Sequence, residues 1–231
     1  MVTTAPRVLI TGANRGLGLE FARQYATEGW QVLATVRDLD GARELRALPG
    51  KVDIAPLDVA DDGSLEAFLR DVGAAPLDLL IANAGIGSGG EKPAAGVTRE
   101  EWREAISVNT YAPFRLAAAL RPNLERGQGK KFAAVSSLAA SIAGYPVAGH
   151  YAYRASKAAL NALWRSLAME WRAAGLIGLL LRPGKVRTRM TGFAGDLEPA
   201  DSVRGMRAVI ARAGLDDAGR FFGYDGREVP W

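Results

Sequence analysis

Residues 7–29 read RVLITGANRGLGLEFARQYATEG, and this one stretch holds a strand, a glycine turn and a helix in immediate succession. Arg7–Thr11 is a short apolar run bounded by glycine, the pattern of a buried strand. Leu17, Phe21 and Tyr25 then recur one helical turn apart until Gly29 stops the helix. Between them, Gly12 lets the chain turn sharply, Gly16 lets the backbone come close to a phosphate, and Gly18 lets the helix pack closely. Asn14, Arg15 and Leu17 complete a candidate dinucleotide site, in which the helix N-terminus offers free N–H groups to a pyrophosphate. The spacing is Gly-x-x-x-Gly-x-Gly, and such a turn is a weak signal when it stands alone.

Outward from this unit, the same alternation runs to the end of the chain. Further strands are predicted at Gln31–Val36, Val52–Leu57, Leu77–Ala82, Lys131–Ser136 and Ile177–Arg182, with a short edge strand near Arg220–Phe222. Runs such as LDLLIANAG and IGLLLRPG are apolar at nearly every position, which suits strands covered on both faces. Helices are predicted at Ala42–Leu48, after a cap at Asp61 or Asp62, from Thr98 to about Leu124, at Tyr151–Ala174 and at about Ser202–Arg212. Thr98 and Glu101 form a capping-box pattern, and Pro113 is expected to bend the helix that follows. The expectation is one α/β domain over residues 1–231: a Rossmann-like, doubly wound parallel sheet of about seven strands with helices on both faces.

Composition removes several classes of function. There are no cysteines and a single histidine, His150, so disulfides, thiolate metal sites and histidine cages are excluded and no metal is expected. The net charge of +4 is spread without a like-charge block, so no nucleic-acid partner is expected. No segment reads as a membrane span or a secretory leader, which predicts a cytoplasmic protein.

Three further clusters carry chemistry. The second strand ends Val36-Arg37-Asp38, where a dinucleotide fold reads the ribose: a cation there favours the 2′-phosphate of NADP(H), an acid the hydroxyl of NAD. Arg37, with Arg15 opposite, favours NADP(H). On the helix from Tyr151, Tyr153 and Lys157 are four residues apart and share a face. A nearby ammonium is expected to lower the phenol's pKa and make it a proton donor and acceptor. Ser136-Ser137 closes the fifth strand, where a hydroxyl can steady a substrate oxygen. Asn109 sits inside a helix, a poor place for asparagine unless its side chain has work to do. Asn83-Ala84-Gly85 and Pro183-Gly184 close two more strands and read equally as turns or as site.

In their order and spacing these clusters resemble the short-chain dehydrogenase/reductase family over nearly the entire chain. The stretch YRASKAALN and the terminal Gly223-Tyr224-Asp225-Gly226 and Pro230-Trp231 resemble its Sniffer/C-factor-like carbonyl reductase branch. The resemblance implies hydride transfer between NADP(H) and a small-molecule carbonyl or secondary alcohol. Tyr153 would be general acid/base, Lys157 would lower its pKa and hold the nicotinamide ribose, and Ser137 would position the substrate oxygen. Asn109 would anchor a water linking Lys157 to solvent. Asp58 and Val59 would contact adenine, Asn83, Ala84 and Gly85 the neighbouring ribose pocket, and Pro183, Gly184, Val186 and Thr188 the nicotinamide end.

Several features depart from the family pattern. The stretch from Ser137 to Tyr153 is longer than usual, leaving Ser141 as the alternative serine, with His150 in the added loop. Arg189 stands where an acid is common, and residues 191–202 are expected to be mobile. A homodimer or homotetramer is expected through the two long helices, with Trp164 and Trp171 either at that interface or inside the protomer. The alternative function is an NADP(H)-binding regulatory or signalling protein without significant turnover.

Overall fold

The computed structural model describes residues 5–87 and 92–231. Seven strands form one sheet: β1 (Arg7–Ile10), β2 (Gln31–Val36), β3 (Val52–Pro56), β4 (Leu79–Ala82), β5 (Lys131–Val135), β6 (Ile177–Arg182) and β7 (Phe221–Gly223). Their order is β3-β2-β1-β4-β5-β6-β7 and every pairing is parallel. The predicted edge strand is therefore β7, one residue later than expected.

Alternation along the strands sorts side chains into two cores. Val8, Ile10, Leu79, Ile81, Leu179 and Leu181 face one side. Leu9, Leu80, Phe132, Ala134 and Leu180 face the other. Helices α1 (Gly16–Thr27), α2 (Arg43–Arg46) and α7 (Pro199–Arg212) contribute Phe21, Leu45 and Met206 to the first core. Helices α3 (Asp62–Val72), α5 (Ala112–Arg126) and α6 (Tyr151–Trp171) contribute Phe68, Leu116 and Trp164 to the second. A leucine fully removed from water on either face contributes about 2 kcal/mol, so a one-residue slip in strand register would exchange the two cores at great cost.

The tryptophan question resolves inward. Trp164 and Trp171 are buried, with ring centroids 5.2 and 4.9 Å from that of Phe132. Their area belongs to the core of the protomer.

Helix ends follow local chemistry. Asp61 accepts from Ser64 N at 2.6 Å, and Thr98 and Glu101 close a reciprocal capping box on α4 (Arg99–Ile106). A π-helical turn at Ser107–Tyr111 joins α4 to α5 just before Pro113. Pro113 lies in the first turn of α5, where its missing N–H costs little. The helix expected over Ala42–Leu48 is a 3-10 turn followed by the four-residue α2.

Between β1 and β4 the chain order reverses direction across the sheet, and the carboxyl ends of the strands there border a crevice. The candidate site lies along this edge.

Candidate active site

The glycine turn is held by its neighbours. Gly12 (φ +64°) passes so close to the β4 loop that a Cβ would stand 3.0 Å from Ala84 Cα. At Gly18 a Cβ would lie 2.3 Å from the Gly12 carbonyl oxygen and 2.6 Å from Asn83 Nδ2, so no side chain fits. Ala13 N donates to the Thr35 carbonyl at 2.9 Å, tying the turn to β2. Asn83 Nδ2 donates to the carbonyls of Thr11 (2.9 Å) and Gly12 (3.2 Å), while Thr11 Oγ1 accepts from Asn83 N and Ala84 N at 3.0 Å each. The Asn83 side chain is thus occupied in bracing the turn.

Arg15 precedes α1 in extended conformation, and no side chain caps the helix. The helix N-terminus therefore keeps its free N–H groups, and Leu17 packs against the core beneath them. Arg15 and Arg37 are exposed and make no ion pair among the described residues, whereas Asp38 accepts from Asp40 N at 2.9 Å. Asn14 Nδ2 lies 3.7 Å from where a Cβ on Gly41 would stand, which sets the loop after β2 beside the glycine turn. Asp58 Oδ1 accepts from Ala60 N at 3.0 Å and Val59 packs against the second core, so both shape the loop after β3.

The chemistry gathers at the ends of β4, β5 and β6. Ser136 faces inward, donating to Asn161 Oδ1 at 2.6 Å. Ser137 instead hydrogen-bonds the phenol of Tyr153. Ser141, the alternative serine, is buried away from this pair; its Oγ accepts from Gly144 N at 2.8 Å and donates to the main-chain oxygen of Trp231 at 3.4 Å. Lys157 is buried one helical turn beyond Tyr153, with Nζ donating to the Val135 carbonyl at 2.9 Å.

Electrostatics differ from the expectation in one respect. Burial pushes the Tyr153 phenol above its ordinary pKa; Ser137 opposes this by hydrogen bonding, and the nearby Tyr145 adds to it. The lowering expected from Lys157 is absent from this arrangement, because Nζ is turned to the Val135 carbonyl. Burial brings Lys157 itself down to about 8.

Asn109 occupies the π turn. Its Oδ1 accepts from Ile86 N at 2.9 Å, and its Nδ2 donates to Ile86 O and to Ser156 Oγ, each at 3.0 Å. A Cβ on Gly85 would lie 3.1 Å from Asn109 Oδ1 and 3.5 Å from Lys157 Nζ, so this glycine keeps open the space beside the ammonium.

Beyond β6, the Pro183 carbonyl accepts from Ser202 Oγ at 2.6 Å, and Gly184 (φ +84°) turns beneath Tyr224. Val186 is buried and bridges to Leu197. Thr188 reaches back to the glycine turn, with Cγ2 3.6 Å from where a Gly16 Cβ would be. The segment expected to be mobile makes contacts with residues 185–187. Arg187 N donates to Leu197 O at 2.9 Å, Asp196 N donates to Lys185 O at 3.0 Å, and Arg187 pairs with Glu198 at 2.7 Å. Arg189 is exposed at its margin.

Sequence reasoning passed over Tyr145, Arg154 and Thr11. Tyr145 lies in the lengthened loop, and Arg154 stacks on its ring with Cζ 4.5 Å from the centroid. The available signal was an aromatic residue within an unusually long loop between two site residues. No cluster of three or more metal-ligating side chains occurs among the described residues. Among them, too, no helix is long and apolar enough to cross a membrane.

The comparisons agree with this geometry. The chain is 40% identical over 167 residues to C-signal of Myxococcus xanthus, covering 72% of this chain and all of that protein. Its structure matches carbonyl reductase Sniffer of D. melanogaster with a TM-score of 0.91 at 30% identity, over 99% of this chain and 100% of that one. An NADPH-bound carbonyl reductase from chicken fatty liver matches with a TM-score of 0.91 at 33% identity and the same coverage. The short chain dehydrogenase profile matches residues 6–198. With the glycine turn, the parallel sheet and this match extending over most of its length, the chain belongs to the short-chain dehydrogenase family of oxidoreductases.

Proposed function

We propose that the protein is an NADP(H)-dependent carbonyl reductase, also acting as an alcohol dehydrogenase in reverse. The observation that carries this reading is the Ser137 hydroxyl bonded to the Tyr153 phenol, with Lys157 buried one helical turn away.

The cradle fits the cofactor. A turn with no room for a side chain at Gly18 and little at Gly12, an uncapped helix N-terminus, and two arginines that make no ion pair among the described residues together match a pyrophosphate with a 2′-phosphate nearby. Arg15 and Arg37 would take the 2′-phosphate, and Thr188 would close over the nicotinamide end. When bound, NADPH supplies the hydride. Ser137 hydrogen-bonds the substrate's carbonyl oxygen and Tyr153 gives that oxygen its proton, so hydride and proton together yield the alcohol. A phenol raised above its ordinary pKa stays protonated at neutral pH, which suits the reducing direction. Lys157 would hold the nicotinamide ribose, and Asn109 keeps the Gly85-Ile86 loop beside Lys157.

Tyr153→Phe tests the assignment: carbonyl reduction should fall by about 100-fold or more with NADPH affinity little changed. Retained turnover would remove Tyr153 from the mechanism.

A second reading follows from the likeness to C-signal: binding of NADP(H) for regulation without significant turnover. It predicts tight NADPH binding with no reduction across a broad panel of aldehydes and ketones. Association into a homodimer or homotetramer belongs to either reading. Trp102, Tyr111, Tyr151 and Met169 are exposed large apolar groups on α4, the π turn and α6 that a second copy would cover, and light scattering measures the mass.

A further inference from the structure

The end of β5 is joined to α6 at three successive residues. The Val135 carbonyl accepts from Lys157 Nζ at 2.9 Å, Ser136 Oγ donates to Asn161 Oδ1 at 2.6 Å, and Ser137 hydrogen-bonds the Tyr153 phenol. On the helix side, Tyr153, Lys157 and Asn161 follow one another at intervals of four and therefore share a face. Asn161 extends by one turn the face that carries the phenol and the ammonium. Ser136 is also fastened on its other side, where its N donates to the Leu181 carbonyl of β6 at 2.8 Å.

The middle contact differs from its two neighbours. In turnover the Ser137 and Tyr153 hydroxyls turn to the substrate oxygen, and the Lys157 ammonium turns to the nicotinamide ribose. Ser136 and Asn161 are both buried, so their bond is kept while the other two contacts are exchanged. Nor does folding stability account for an asparagine here. Asn161 Nδ2 is buried with no hydrogen-bond partner among the described residues, and Leu160 and Trp164 beside it in the chain belong to the second core. An amide N–H left unpaired in such a place costs free energy that an aliphatic side chain would not.

We propose that Asn161 is a positioning residue for the reaction: through Ser136 it fixes the end of β5 against α6 and so holds the Ser137 hydroxyl in register with Tyr153 during turnover. This rests on the carbonyl reductase reading given above. Asn161 moves no proton, and its effect passes along the main chain from Ser136 to Ser137.

The experiment compares Ser136→Ala, Asn161→Leu and the double variant with wild type by steady-state reduction of one ketone, NADPH titration and urea unfolding. Each variant should lose kcat by about tenfold or more, with KM and NADPH affinity within about threefold, as for a small misplacement of reacting groups. The double variant should lose no more than either single one, because the two side chains act as a unit. Its urea midpoint should equal or exceed that of wild type, since both partners become apolar together. Ser136→Ala removes a single oxygen and reads the bond even if Asn161→Leu fails to fold. Unchanged kcat in Ser136→Ala, with Tyr153→Phe inactive, would overturn the role of Asn161 alone. So would a lowered midpoint accompanied by weakened NADPH binding, which would mark the bond as a support of the fold. Wild-type protein that reduces no carbonyl would overturn the underlying reading, and this proposal with it.

Discussion

Asn109 grips the main chain of Ile86 with both ends of its carboxamide, accepting from N at 2.9 Å and donating to O at 3.0 Å. The π turn makes this possible by carrying a fully buried side chain across from the helix to the loop after β4. Asn109→Ala leaves both main-chain groups and Ser156 Oγ without this partner. Stability should drop by about 2–3 kcal/mol, read as an earlier urea midpoint, and turnover should fall as the Gly85-Ile86 loop loosens beside Lys157. An unchanged midpoint would mean that the grip contributes nothing.

Gly18 has no room for a methyl group. Alanine there must displace both the Gly12 carbonyl and the Asn83 side chain that braces the turn. Gly18→Ala should weaken NADPH binding by about tenfold or more, at a stability cost of roughly 1–3 kcal/mol. Titration of NADPH fluorescence checks the first effect, and native-like affinity would contradict it.

Arg37 makes no ion pair within the described chain, so its removal costs little in folding. If it binds the 2′-phosphate, Arg37→Ala should lose about 1.5–3 kcal/mol of NADPH affinity, roughly 10- to 150-fold, with NADH affinity unaffected. Equal losses for both cofactors would refute the assignment.

Lys157 places a cation in an apolar setting, and burial lowers its pKa from 10.5 to about 8. The folded state binds this proton less tightly than the unfolded state, so the penalty is full below about pH 8 and fades as pH rises toward 10.5. Lys157→Met abolishes the penalty along with turnover. Its stability relative to wild type should therefore be about 2 kcal/mol more favourable at pH 7 than at pH 9.5, measured by denaturant unfolding of cofactor-free protein. A pH-independent difference would show that Nζ titrates alike in the folded and unfolded chains, and that burial does not lower its pKa.

The elements most legible in the sequence were those with a local cause. Strands such as Ile177–Arg182 announce themselves because both faces are covered, leaving no polar alternation to confuse the pattern. The capping box at Thr98 and the glycine turn depend on neighbours within a few residues. Tyr153 and Lys157 share a helical face by spacing alone.

Other features depended on contacts between distant segments. Pro113 marked an irregularity in its helix, but the π turn from which Asn109 reaches Ile86 was not legible there. Trp164 and Trp171 face inward because Phe132 lies across from them on β5. Ser137 rather than Ser141 meets Tyr153 because Ser141 is occupied by Gly144 and Trp231.

The sequence by itself thus determined the order of strands and helices, the glycine turn and the helical face that Tyr153 and Lys157 share, since each is written in spacings of a few residues. Only the tertiary structure decided which serine joins the phenol, where Lys157 sends its protons and what stands beside the reacting hydroxyls. Those outcomes depend on burial and on hydrogen bonds between residues far apart in the chain, and neither property has a sequence period.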